Sequence, residues 1–135
     1  MIVVDTNIIA YLFLDSGRSQ LCEKALLAEP LWAVPRLWRS EMRSVLALYL
    51  RKGLLSLADA QQIMIEASGL VQGLEYEVTS NQVLELVNTS NCSAYDCEFV
   101  ALAQDLGVPL VTSDRQILAE FPEIAISLEA FVGAR

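Results

Sequence analysis

Four short apolar runs constrain this chain more than any other feature: "IVV" at 2–4, "LWAV" at 31–34, "PLVT" at 109–112 and "IAIS" at 124–127. Each is shorter than a typical helix, and the runs are rich in β-branched or aromatic residues. They are apolar at consecutive positions rather than at alternate ones. That pattern belongs to strands buried on both faces, the condition of a parallel sheet covered by helices. A weaker strand is expected at "YEV", 76–78.

The intervening segments carry helical periodicity and helix punctuation. A short helix is expected from about residue 6 to Leu14, and "DSG" at 15–17 reads as a turn or helix start. Residues 18–29 are helical in pattern and Pro30 stops them. Pro35 suits the first turn of the next helix, which runs to about Lys52 with Gly53 as its cap. Further helices are expected at 57–72, 79–88, 93–106 and 114–120, with a last short one at the C-terminus. Strands alternating with helices imply an α/β fold of three layers, α/β/α, around a central, mostly parallel sheet of four to five strands. One domain accounts for residues 1–135. Sheets of this kind place their sites at the carboxyl ends of the strands.

Composition narrows the chemistry. The chain has no histidine, which removes histidine acid–base catalysis, Ser-His-Asp triads and histidine-ligated zinc. Its three cysteines, Cys22, Cys92 and Cys97, are too few and odd in number for a disulfide framework. No apolar stretch reaches the roughly 20 residues of a membrane span. The N-terminal apolar run lacks a basic flank and contains Asp5, which makes it a poor signal peptide. A cytoplasmic protein with no membrane partner is expected. The formal charge of −8 opposes nonspecific coating of nucleic acid. A nuclease whose acids are masked by metal remains compatible with it.

Four carboxylates carry the candidate chemistry: Asp5, Glu41, Asp96 and Asp114. Asp5 and Asp114 each follow an expected strand, and each also suits an N-cap of the helix beyond it. Asp96 closes "SAYD", a capping-box pattern, and shares a helix face with Phe99, Val100 and Ala103. Glu41 lies inside a helix, where capping does not explain it. On a helical wheel it falls within an apolar arc of Leu37, Trp38, Val45, Leu48 and Tyr49. A carboxylate aimed at a core needs a cation, from a buried salt bridge or a metal. Together the four acids are expected to converge on one pocket. Unscreened, two such charges about 4 Å apart repel by roughly 4 kcal/mol at an effective dielectric near 20. All-oxygen ligands would suit Mg²⁺ or Mn²⁺ as the ion that relieves this.

Arg36, Arg39 and Arg43 form a basic stripe, read either as a solvated helix face or as phosphate contacts. Arg115, beside Asp114, has the same two readings. Cys92 and Cys97 flank Asp96 and are expected to be inert thiols. Glu98 points away from Asp96 on the wheel and is left out of the site. Trp32 and Trp38 are expected in the core or at a dimer contact.

Three stretches, "VVDTNIIAYLF" at 3–13, "VPRLWRSEMRSVL" at 34–46 and "SAYDCEFVALAQDLGVPLVTSD" at 93–114, resemble the PIN-domain family of metal-dependent ribonucleases, and among them the VapC toxins of type II toxin–antitoxin systems. The match covers nearly the whole chain and is weakest from about 54 to 90. The resemblance implies a PIN-like fold and an endoribonuclease. Asp5, Glu41, Asp96 and Asp114 would be its acidic quartet on Mg²⁺ or Mn²⁺, with Asp5 and Asp96 as the surest ligands and Asn7 and Thr112 bordering the site. It further implies RNA products with 5′-phosphate and 3′-hydroxyl ends, a cognate antitoxin protein and a homodimer. One departure is Ser44, where many relatives carry Asn.

Rival readings lack parts. A receiver domain or a haloacid-dehalogenase-type phosphotransferase requires a late lysine, and the only lysines are Lys24 and Lys52. The dehalogenase type also requires an acid where Asn7 stands. A non-toxin PIN nuclease of RNA processing, or a non-catalytic PIN-like binding module, are the alternatives; the second would be marked by a missing acid.

Overall fold

A computed structural model of the chain describes residues 1–14 and 17–133. The turn expected at "DSG" falls on Asp15 and Ser16, outside the described residues. Five strands are present: β1 (Ile2–Val4), β2 (Trp32–Pro35), β3 (Glu75–Tyr76), β4 (Leu110–Thr112) and β5 (Ala125–Ser127). The helices are α1 (Thr6–Phe13), α2 (Ser19–Ala28), α3 (Trp38–Arg51), α4 (Leu57–Leu70), α5 (Ser80–Asn88), α6 (Ala94–Leu106), α7 (Arg115–Glu120) and α8 (Leu128–Gly133).

The strands form one sheet in the order β3-β2-β1-β4-β5, and every pairing is parallel. In register, Ile2 lies beside Trp32, and Val3 beside both Ala33 and Leu110. β1 is buried at all three positions and β2 at all four, so both faces of the sheet are covered. α6 packs across β1, β2 and β4, while α1 and α8 lie against β4. α2 in turn packs on α1 and α8. The strand order reverses direction at β1, between β2 and β4. Chains leaving β1 and β4 therefore diverge and open a crevice at their carboxyl ends.

Three local expectations shift. Pro35 ends β2 instead of opening α3, because Arg36 N–H donates to the Tyr76 carbonyl and extends the β2–β3 ladder by one residue. β3 accordingly lies at 75–76, where Val34 and Pro35 have their partners, rather than at 76–78. On α3 the buried line is Trp38, Met42 and Leu46, not the arc drawn through Leu48, which is 50% exposed. This core line is spaced by four residues, and it leaves Glu41 at its margin rather than at its centre. Both tryptophans are fully buried in the core, and the three cysteines are free and buried. α6 ends as "GVP" suggests, with Gly107 left-handed at φ 65°, a conformation costly for any residue with a Cβ. Among the described residues, no helix is long and apolar enough to cross a membrane.

Candidate active site

The four acids reach the rim by four routes. Asp5 is the first residue past β1 and the N-cap of α1; one oxygen accepts from Ile8 N–H at 3.2 Å. Its other oxygen accepts from the Thr112 hydroxyl at the end of β4. Asp114 caps α7, with Oδ1 accepting from Gln116 and Ile117 N–H at 2.9 and 3.0 Å. Its own N–H donates to Thr112 Oγ1 at 3.0 Å. Asp96 sits in the first turn of α6, where Ser93 Oγ accepts from its N–H at 3.1 Å. Glu41 stands in the first turn of α3 rather than mid-helix as expected, because the helix starts only at Trp38, and its Oε1 accepts from the Thr6 hydroxyl at 2.7 Å. Capping and convergence thus coexist. A cap occupies only some of a carboxylate's lone pairs, and the remainder stay free to face the cleft.

All four carboxylates line one cleft of about 480 Å³, together with Thr6, Asn7, Ser40, Ser44 and a set of apolar side chains. Their titration reflects this crowding. Asp5, 6% exposed, is pushed up to about 6, chiefly by burial, with Asp114 and Glu41 adding repulsion. The hydrogen bonds from Thr112 and Ile8 act in the opposite direction. Burial also raises Glu41, opposed by the Thr6 hydroxyl and reinforced by Asp96 and Glu98. Asp96 is raised by burial and then by Asp114. The acids are electrostatically linked, Asp5 to Asp114 and Glu41, and Asp96 to Asp114 and Glu41.

The donor chemistry fits a hard divalent ion: carboxylates alone, with hydroxyls behind them. Among the described residues, no three acidic or cysteine side chains are grouped closely enough to hold one.

The other singled-out residues divide. Asn7 is exposed on the cleft wall. Thr112 is fully buried behind Asp5. Arg39 is outside the cleft lining; it grips Glu75 with both Nε and Nη2 at 2.6 Å. Trp38 Nε1 donates to the same carboxylate at 2.7 Å. Glu75 is held down to about 2 by the Arg39 hydrogen bonds and then by Trp38. Arg36 pairs with Glu77 at 3.5 Å, and Arg115 is exposed at the start of α7, outside the cleft lining. Glu98 lies off the cleft but close enough to Glu41 to affect it. Thr6 and Tyr95 were not singled out as site residues from the sequence. Their only signal there is adjacency to Asp5 and Asp96.

A parallel α/β sheet with an acidic crevice at its reversal of strand order defines a class of site before it defines a protein. The chain belongs to the PIN domain family, whose pattern matches residues 2–124. It is 29% identical over 126 residues to a curated protein named Ribonuclease VapC3 from Pyrobaculum aerophilum, covering 91% of this chain and 96% of the relative. A crystal structure of PAE2754 from Pyrobaculum aerophilum superposes with a TM-score of 0.78 at 22% identity, over 98% of this chain and 94% of that one. A toxin–antitoxin complex from Klebsiella pneumoniae contains a chain that superposes at 0.67 with 17% identity, over 95% and 98%.

Proposed function

We propose that this protein is a divalent-metal-dependent endoribonuclease acting as the VapC-type toxin of a toxin–antitoxin pair. One observation carries the reading: four acids from four separate parts of the chain line a single cleft at the carboxyl rim of the sheet. Family membership supports nuclease chemistry, and the relative named Ribonuclease VapC3 supports RNA as the substrate. The Klebsiella pneumoniae toxin–antitoxin complex supports an antitoxin partner. A cytoplasmic location and a homodimer belong to the same proposal.

Asp5, Glu41, Asp96 and Asp114 would hold Mg²⁺ or Mn²⁺, with Asp5 and Asp96 as the principal ligands. When bound, the ion supplies an acidified water and a counter-charge for the phosphate. The chain's own contribution is alignment. Thr112 and Ile8 N–H hold the two oxygens of Asp5, and Thr6 holds Glu41, so the ligands keep their orientation while the substrate enters. Asp114 spends one oxygen on α7 and leaves the other for the cleft. Asn7, Ser40 and Ser44 offer neutral hydrogen-bonding groups to the substrate along the walls. With no histidine in the chain, proton transfer falls to these carboxylates and to water.

The test is incubation of purified protein with total cellular RNA and Mg²⁺ or Mn²⁺, followed by mapping of the cut ends. Discrete cuts with 5′-phosphate and 3′-hydroxyl termini are expected, absent in Asp5→Asn and Asp96→Asn. Undiminished cutting by either purified variant would overturn the assignment of the site. Absence of cutting by the wild type, with no metal bound in calorimetry, would leave a non-catalytic module as the better reading.

A further inference from the structure

The catalytic cleft is acidic at one part of its wall and apolar at another. Besides the carboxylates and small polar groups, Leu37, Val45, Tyr95 and Phe99 line it. Phe99 is buried at 2% exposure, whereas Tyr95, one residue before Asp96, is 63% exposed. Tyr95 is therefore the aromatic ring that this wall offers to solvent and to a ligand. Among the described residues, no arginine or lysine lines the cleft. Of the nearest basic stripe, Arg39 is held by Glu75 and Arg36 pairs with Glu77, while Arg43 donates to the Arg39 carbonyl and lies outside the cleft lining.

These facts restrict how an RNA can be gripped. The ion of the proposed function would offset the charge of the phosphate that is cut, but among the described residues no side chain of the cleft offers a cation to a neighbouring phosphate. The available favourable contact is with a base, through an aromatic face backed by apolar side chains. We propose that Tyr95 is a stacking shelf for one unpaired nucleobase next to the phosphate that is cut. The proposal rests on the ribonuclease reading and adds a positioning residue to it: an exposed ring that takes a base beside the acids. Every base has a π-face, so the shelf sets position more than sequence.

The test uses single-stranded oligoribonucleotides that each carry one 2-aminopurine and an end label, titrated with Ca²⁺ present against wild type, Tyr95→Ala and Tyr95→Phe. For one position of the fluorescent base, wild type and Tyr95→Phe should quench it on binding. Tyr95→Ala should lose the quench and bind roughly ten- to a hundredfold more weakly. An abasic site at that position should weaken wild type to a similar degree and leave Tyr95→Ala unchanged, a coupling that a purely structural role for Tyr95 does not produce. Equal affinity and quench in Tyr95→Ala, or no quench at any position in wild type, overturns the shelf. Cleavage of total RNA in Mg²⁺ is followed separately. Binding with quench but no cutting leaves the shelf and refutes the nuclease. Cutting with the same KM in wild type and Tyr95→Ala leaves the nuclease and refutes the shelf.

Discussion

Removing the charge of Asp5 should stabilise the metal-free protein while destroying its activity. Asp5 is 6% exposed, and burial raises its pKa from 3.8 to about 6. A rise of about two units corresponds to roughly 3 kcal/mol of unfavourable free energy for the ionised form at neutral pH. Asn at this position keeps an acceptor for Ile8 N–H, and the Thr112 hydroxyl can rotate to accept from the new amide. The shift is already net of those bonds in their charged form; exchanging the carboxyl for an amide between two fixed partners costs about 1 kcal/mol, so the net gain expected from Asp5→Asn at pH 7 is about 2 kcal/mol. For a domain of this size that is a rise of roughly 5–10 °C in Tm. The pH dependence separates this cause from others. The folded protein binds the Asp5 proton more tightly than the unfolded chain does, so wild type gains stability as pH falls through 6 towards 3.8. The variant has no such group, and its advantage should shrink to near zero by about pH 4. Divalent metal should reverse the order: at a hundredfold excess over its Kd, Mg²⁺ stabilises wild type by about 3 kcal/mol and Asp5→Asn far less. Thermal melts with and without chelator, from pH 4 to pH 7.5, measure all of this. A variant less stable than wild type in chelator at pH 7, or an advantage that persists undiminished to pH 4, would refute the reasoning.

Asp96→Asn should abolish cleavage with the circular dichroism spectrum unchanged, since the helix it starts keeps its Ser93 cap. Thr6→Val removes the hydroxyl that holds Glu41 and should lower metal affinity or kcat roughly ten- to a hundredfold; Thr6→Ser should restore most of it, and equal loss in both would point to packing instead. Glu75→Gln breaks the Arg39 grip at the edge of the sheet. Because Glu75 is held down to about 2 from 4.5, its contribution is present above about pH 4.5 and lost towards pH 2; urea titrations should show the variant weaker at pH 7 and matching wild type near pH 2. With Arg39 held by Glu75, Arg39→Ala should lower stability in the same window and leave the salt dependence of RNA binding nearly unchanged.

The architecture was legible because each level of the sequence agreed with the next. Consecutive apolar residues at 2–4, 31–34 and 109–112 demand burial on both faces, and only helices on both sides of a parallel sheet supply it. The candidate acids were legible for a related reason. Asp5 and Asp114 mark where a buried strand leaves the core, and Glu41 and Asp96 break otherwise apolar helix faces. The exact buried line of α3 was not legible, because Leu48 and Leu46 look alike in a sequence and only the direction of neighbouring elements decides which one meets the core. Arg39 shows the same limit. Its place on a basic stripe was plain, but its bond to Glu75 depends on β3 lying beside β2, which residue spacing along the chain does not encode.

The sequence by itself determined the layered α/β fold, the absence of histidine and the choice of the four candidate acids, because hydrophobic pattern and residue type act locally and survive without coordinates. Tertiary structure decided who holds those acids and what surrounds them. Thr112 meets Asp5 across 107 residues of chain and Thr6 meets Glu41 across 35. The raised pKa of Asp5 and the exposure of Tyr95 on the same wall likewise exist only once strand order has brought β1, β4, α3 and α6 to one rim. Desolvation and hydrogen bonding depend on distance in space, and the chain acquires those distances only on folding.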